Sequence, residues 1–243
     1  MKVAALYDIH GNLPALEAVL EEVQKESVDL LVVGGDVFPG PMSNQALACL
    51  LALDVPIQFI RGNGDREVLA WSAGEGSEST PESFQETLRW EAEGLRPGHK
   101  EVLEQWPETF RREIPGLGNV LFCHATPRSD VETFTRLTLE DRLLETFEDT
   151  GASLVVCGHT HMPFDRMVGR VRVVNAGSVG MPFGQPGGHW LLLGPGVEPR
   201  VTHYDLEEAA RRIRATDYPQ AEGFAANNVL QCPTEKKMLE LFS

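Results

Sequence analysis

No stretch of these 243 residues approaches the ~20 consecutive apolar positions that a membrane-spanning helix needs. The first residues, Met1-Lys2-Val3-Ala4-Ala5-Leu6-Tyr7-Asp8, reach a carboxylate too early for the apolar core of a signal peptide. Cysteine is scarce: Cys49, Cys123, Cys157 and Cys232 form no C-x-x-C pair. A chain this large and this poor in Cys is not a disulfide scaffold, and buried free thiols in a reducing cytoplasm are expected. Basic residues are also short, with 21 Lys and Arg against 36 Asp and Glu, for a formal net charge of −15. Affinity for long nucleic acid comes largely from cations neutralising phosphates, so that partner class is excluded. Internal repeats and low-complexity tracts are absent, apart from a short acidic loop. A soluble, cytoplasmic, globular protein with no membrane partner is expected, and the composition does not address oligomeric state.

What is present is a set of short apolar runs, at residues 3–7, 30–33, 57–60, 120–123 and 154–157, each reading as a buried strand. Each ends in polar residues of one kind. The endings are Asp8-Ile9-His10, Gly35-Asp36, Gly62-Asn63-Gly64-Asp65, Cys123-His124, and Gly158-His159-Thr160-His161. Strands of one sheet would bring these endings to one edge. That edge would hold two Asp, one Asn and four of the chain's seven His. Hard oxygen and imidazole nitrogen together suit a pair of divalent transition metals. Each piece alone is weak: D-x-H recurs by chance, Gly-Asp and Asn-Gly are turn signals. The joint pattern carries the reading.

The first half alternates strand and helix. Asn12 is placed to cap a helix that tolerates Pro14 in its first turn, with Leu16, Val19, Leu20 and Val23 at helical spacing. Residues 45–53 read as a second helix. This βαβαβ order predicts a parallel sheet covered by helices. Residues 66–118 break the rhythm. A Gly/Ser/Glu-rich loop spans 73–80, and Thr80 before Pro81 reads as a helix cap. Two apolar stripes follow, Phe84, Leu88, Ala92 and Leu95, then Val102, Leu103, Trp106 and Phe110. Together they predict a helical hairpin whose core holds Trp71, Trp90 and Trp106; an aromatic wall over the site is the rival role. A helix over 139–147 is expected, started by Thr138 with Asp141 three residues on. Strands follow at 170–174, 190–193 and 199–204, then a helix over 205–214.

The ordered set D-x-H, GD, GN-x-D, H, GH-x-H resembles the calcineurin-like metallophosphoesterase superfamily. The compact size and the segment Asn175-Ala176-Gly177-Ser178-Val179-Gly180 are most similar to its small bacterial and archaeal phosphodiesterases. The resemblance runs from Asp8 to about Gly180. It implies an α/β fold, a four-layer αββα sandwich of two mixed sheets flanked by helices, as a single domain over 1–243 with the helical insertion at about 66–118. It implies that Asp8, His10 and His161 hold one metal, that Asn63, His124 and His159 hold the other, and that Asp36 bridges them. It implies hydrolysis of a small phosphoester, with diesters favoured and nucleotides among the candidates, by in-line attack of a metal-bridging hydroxide. Mn is favoured among Mn, Fe, Zn and Ni.

The family often places a His after the Asn as general acid, and here that position is Gly64. His189 is the leading free histidine to replace it, and Arg66 a charge-stabilising substitute. Tyr7 and Ala176 depart from the common Ser and Pro without removing a ligand. Arg61 and Asn12 are candidate substrate contacts; a salt bridge and a helix cap are their respective alternatives. His99 and His203 are expected at the surface. Two other readings stand beside the phosphodiesterase: a catalytically weak or inactive scaffold of the same fold, and a nucleotide or dinucleoside polyphosphate hydrolase.

Overall fold

The computed structural model describes residues 1–77 and 81–242. Alternate residues along each central strand face opposite clusters. In β1 (Val3–Leu6), Val3 and Ala5, with Tyr7 just beyond, join one cluster while Ala4 and Leu6 join another. In β5 (Gly118–Cys123), Val120 and Phe122 join the first cluster, while Leu121 and Cys123 pack outward. Both faces of these strands are buried, which is why each reads as an unbroken apolar run rather than an alternation.

Two five-stranded mixed sheets result. The first has the order β10 (Val197–Thr202), β9 (Gly188–Leu193), β1, β2 (Leu30–Val33), β3 (Ile57–Phe59). The second has the order β4 (Thr109–Ile114), β5, β6 (Leu154–Cys157), β8 (Val171–Asn175), β7 (Phe164–Val168). The strands β1, β2 and β3 run parallel, as do β5, β6 and β8, and the outer pairs are antiparallel. The sheets share a dry inner cluster that includes Val32, Ile60, Phe122, Val156 and Leu193. Helices α1 (Leu13–Glu26) and α2 (Ser43–Leu51) cover the first sheet through Leu16, Val19 and Leu47. Phe134, Leu143 and Phe147 cover the second. The expected four layers are present.

The single sheet edge inferred from the motifs is corrected: the motif strands divide between two sheets, and the site lies where the ends of both meet. A parallel run of strands is indistinguishable in sequence from two such runs packed face to face. The insertion also differs. It forms α3 (Asn63–Ser72), α4 (Glu82–Gly94) and α5 (Pro97–Leu103), and Phe110 lies in β4 rather than on a helix. Pro107 forbids helical continuation from Trp106. Thr80 lies outside the described residues. Residues 139–147 form separate single turns, Glu140–Arg142 and α6 (Leu144–Phe147). The Thr138 hydroxyl accepts from Thr135 N instead of capping, and its carbonyl accepts from Arg166. Downstream, α7 (Leu206–Arg214) is capped by Asp205, followed by α8 (Ala221–Phe224), a π-helical segment (Ala225–Leu230) and α9 (Glu235–Leu241). Among the described residues no helix is long and apolar enough to cross a membrane.

Candidate metal centre

The strand ends turn sharply. Asp8, His10, Asp36, His159 and His161 all have left-handed backbone, with φ from 44° to 66°. Ser27 is the one other non-glycine residue in that region among those described. Such backbone costs free energy at each residue and persists where surrounding structure over-determines it. Here the restraint comes from hydrogen bonds between motifs. Asp8 N donates to Gly35 O, His10 N to Asp36 O, and Gly158 N to His124 O. His159 N donates to Asp8 Oδ2 at 2.9 Å. Asp65, fully buried, accepts from Asp36 N, Phe38 N and Gly62 N, tying the second motif to the third. Asn175 donates to Gly158 O and Thr160 Oγ1 and accepts from Gly177 N, holding the loop that carries His159 and His161.

The glycines of these motifs clear space. A Cβ on Gly34 would lie 1.9 Å from the Tyr7 ring, and one on Gly158 would lie 2.6 Å from it. Tyr7 thus occupies the gap between the sheets beneath the site, and its hydroxyl donates to Val156 O at 3.0 Å.

All seven expected ligand residues converge. Asp8, His10 and His161 offer atoms within 4.8 Å of one another, as do Asp8, Asp36 and His124. Asp36 Oδ2 lies 3.7 Å from His10 Nε2 and 3.4 Å from His124 Nε2, between the two groups. Asp8 Oδ1 spans them too, at 3.3 Å from His161 Nε2 and 3.9 Å from His124 Nε2. The Asn63 amide oxygen is 3.1 Å from His124 Nε2. The His124 and His159 rings are 5.2 Å apart, centroid to centroid.

Three observations fit cations at this place. Asp8 Oδ1 is buried and has no hydrogen-bond partner. His10, His161 and His124 each direct Nδ1 at a carbonyl, of Pro39, Met181 and Gly34 respectively. In the neutral ring, donation there leaves Nε2 a bare acceptor, the arrangement that presents imidazole to a metal. As a result, His10 Nε2 and His161 Nε2 face each other at 3.2 Å, a contact between lone pairs that a cation would relieve. The Asn63 oxygen, facing His124, meets acceptors only, and turning the amide would pair both of its ends; a bound cation is what would favour the oxygen-inward orientation.

The electrostatics agree. Burial opposes ionisation of Asp8 and Asp36, but His161 and His124 overcome it at Asp8, and His124 and His10 at Asp36, so both carboxyls stay below their ordinary range. Burial disfavours charge on His124, yet Asp36 and Asp8 push it up to about 10. Cation binding must therefore displace a proton there. Burial, aided by His124, lowers His159 to about 4, so it is neutral at physiological pH.

A family model for the calcineurin-like phosphoesterase superfamily domain matches residues 1–194. The chain belongs to the calcineurin-like phosphoesterase superfamily. Members are metal-dependent, and the clustered donors suit that chemistry. An uncharacterized Methanocaldococcus jannaschii protein, MJ0912, is 28% identical over 166 residues, which cover 67% of this chain and 63% of that one. The match thus spans less than two thirds of that relative's length. The fold is similar to the crystal structure of hypothetical protein PH1004 from Pyrococcus horikoshii OT3, with TM-score 0.77 and 21% identity over 92% of this chain and 97% of that one. It is also similar to a metallophosphoesterase from Sphaerobacter thermophilus, with TM-score 0.72 and 22% identity over 94% and 99%.

The other candidates sit as follows. Asn12 is fully buried: its oxygen accepts from Ala15 N and its NH₂ donates to Gly180 O, so it is occupied as a cap and loop tie. The Arg61 guanidinium pairs with Glu108 at 3.1 Å. His189 is buried with Nε2 held by Gln185 O, and it does not line the cavity beside the cluster. Arg66 lines a separate recess next to His124 and is held by Asp130 at 2.6 Å. His203 is exposed, while His99 is half-buried against Asn44. Cys123 and Cys157 are free and buried, and burial raises both thiols, which disfavours a thiolate. Trp106 stacks on Phe59 at 4.7 Å and Trp90 meets Tyr218 edge-on at 5.5 Å, so these rings serve packing. Phe84, expected in the helix core, is 38% exposed and lines the cavity instead.

The position of the missing acid is filled by backbone. Gly64 N donates to Asp36 Oδ1 at 2.7 Å, and a Cβ on Gly64 would lie 2.4 Å from Phe38 O.

Proposed function

We propose that this chain is a dinuclear metal-dependent phosphodiesterase acting on a small phosphoester in the cytoplasm. The observation that carries this reading is the placement of Asp36 Oδ2 between His10 and His124, each of which belongs to a different ligand group. Asp8, His10 and His161 would hold one ion, Asn63, His124 and His159 the other, with Asp36 shared. Mn²⁺ is favoured, and Fe²⁺, Zn²⁺ and Ni²⁺ suit the same donors. Two divalent ions supply the charge that polarises a phosphoryl group and makes water nucleophilic near neutral pH.

The residues around them divide the remaining work. Asp36 is kept in place by Gly64 N, at the N-terminal turn of α3. Asn63 contributes an oxygen without adding negative charge. The cavity beside the cluster is lined by neither Lys nor Arg among the described residues. A diester carries one fewer charge than a monoester and needs less cationic support, which favours the diester. The same lack weighs against a polyphosphate chain. Among the described residues no side chain occupies the Gly64 position of the general acid, a contribution worth about 10²–10⁴-fold where present. Good leaving groups are therefore expected to react much faster than poor ones.

The test is hydrolysis of bis(p-nitrophenyl) phosphate by protein loaded with Mn²⁺ or Ni²⁺, with metal content measured in parallel. Two metals per chain, turnover, and its loss in Asp36→Asn and His124→Ala are expected. An inert protein with fewer than one tightly held metal would instead favour the scaffold reading.

A further inference from the structure

The cavity that opens on the metal cluster is not finished by the family domain. Its volume is about 480 Å³, within the range of small-molecule sites. One wall is the cluster itself. The opposite wall comes from α4 and from residues 218–228, all of the latter beyond the 1–194 family match. Phe84, Tyr218, Phe224 and Met181 supply apolar surface there, and Asn227 and Asn228 supply amides. Among the described lining residues, Asp36 is the only carboxylate, and no Lys or Arg is present.

Two of the amides on this wall, Asn227 and Asn228, come from the π-helical segment Ala225–Leu230, and Gln220 supplies a third. Such wide turns often mark functional sites. Asn227 donates to Gly223 O at 3.0 Å, which leaves its oxygen for a ligand. Asn228 is half-buried at the cavity wall, and its amide has no partner among the described residues. A primary amide offers two donors and an acceptor in one plane. That pattern matches the edge of a planar heterocycle, whose faces suit aromatic and thioether surface. A second phosphate or a carboxylate would find no cation here.

We infer that this wall, resting on the phosphoesterase reading above, is a subsite for the uncharged organic group of the substrate. That group is a nucleoside, with Asn228 reading the base edge and Phe84 flanking its face.

The experiment compares adenosine and uridine 5′-monophosphates with ribose 5-phosphate, which lacks the base but keeps the phosphate. Binding to Mn²⁺-loaded protein is measured by calorimetry. At least one nucleotide is expected to bind about tenfold tighter than ribose 5-phosphate, as stacking and one or two hydrogen bonds would give. Asn228→Leu, of similar bulk, should remove most of that preference and leave ribose 5-phosphate unchanged. Phe84→Ala, on a different element and already partly exposed, should reduce it independently. Equal binding of all three phosphates by protein that still hydrolyses bis(p-nitrophenyl) phosphate overturns the subsite alone. So does an equal effect of both variants on all three ligands. Absence of both phosphate binding and hydrolysis overturns the subsite together with the phosphoesterase reading.

Discussion

The amide of Gly64 donates to Asp36 Oδ1 at 2.7 Å. The residue that stands where relatives often carry a catalytic histidine thus orients the carboxylate that lies between His10 and His124. A Cβ at this position would lie 2.4 Å from Phe38 O and 2.9 Å from Pro39 Cδ. The glycine is not a hole into which an acid could be restored. Gly64→His is expected to lose metal and activity and to destabilise the chain by about 1–3 kcal/mol, the usual cost of overpacking. Thermal denaturation and metal content check this. Faster hydrolysis of an alkyl diester by the variant would show the clash to be relieved and the acid recovered.

None of the three side-chain hydrogen bonds of Asn175 goes to a candidate ligand, yet they hold the Gly158–Thr160 turn and the following Gly177. Asn175→Ala should let His159 and His161 relax from their left-handed backbone. Outer partners of this kind are worth about 10–100-fold in metal affinity. Calorimetric titration with Mn²⁺ measures it, and unchanged affinity would show that the turn is held by other contacts.

Tyr7→Phe removes a buried hydroxyl whose bond to Val156 O joins the two sheets. The carbonyl left behind is also a β6 backbone acceptor, so the loss should be modest, about 1–2 kcal/mol in denaturant unfolding. Metal stoichiometry should remain at the wild-type value, because no ligand moves with the hydroxyl.

Glu91 is buried beneath the Pro39–Gly40 turn, accepting from Gly40 N and Ser43 Oγ. Burial raises its pKa from 4.5 to about 7, against those two hydrogen bonds. The folded chain therefore holds a proton that the unfolded chain gives up. The resulting stabilisation is complete below about pH 4.5 and is lost as pH rises through about 7. Glu91→Gln stays neutral throughout. Relative to wild type it should gain on the order of 3 kcal/mol between pH 4 and pH 8. Parallel slopes for the two proteins across that interval would refute this account of Glu91.

Much of the site was legible because ligand residues follow unbroken apolar runs, and a run buried on both faces must end where the chain leaves the sheet. The cap Asn12 was legible for a local reason, since it satisfies an N–H three residues on, whereas Asp205, read as the first helical residue, is the cap of α7. Strand β4 was not, because Arg111, Arg112 and Glu113 are exposed on a sheet edge and hide its alternation. The Phe110 and Trp106 pair resembled a helix stripe, and Pro107 between them was the signal against it.

The sequence by itself determined which donors exist and in what order the strands deliver them: two Asp, one Asn and four His, each one to four residues past a strand. Local burial and turn chemistry are enough for that. Tertiary structure alone decided that these ends belong to two sheets, that five of the seven residues sit in left-handed backbone, and that Asp36 lies between two histidine groups. It also decided that residues 218–228 close the cavity. These are contacts between segments far apart in the chain, set by how two buried sheets pack, and no local pattern encodes them.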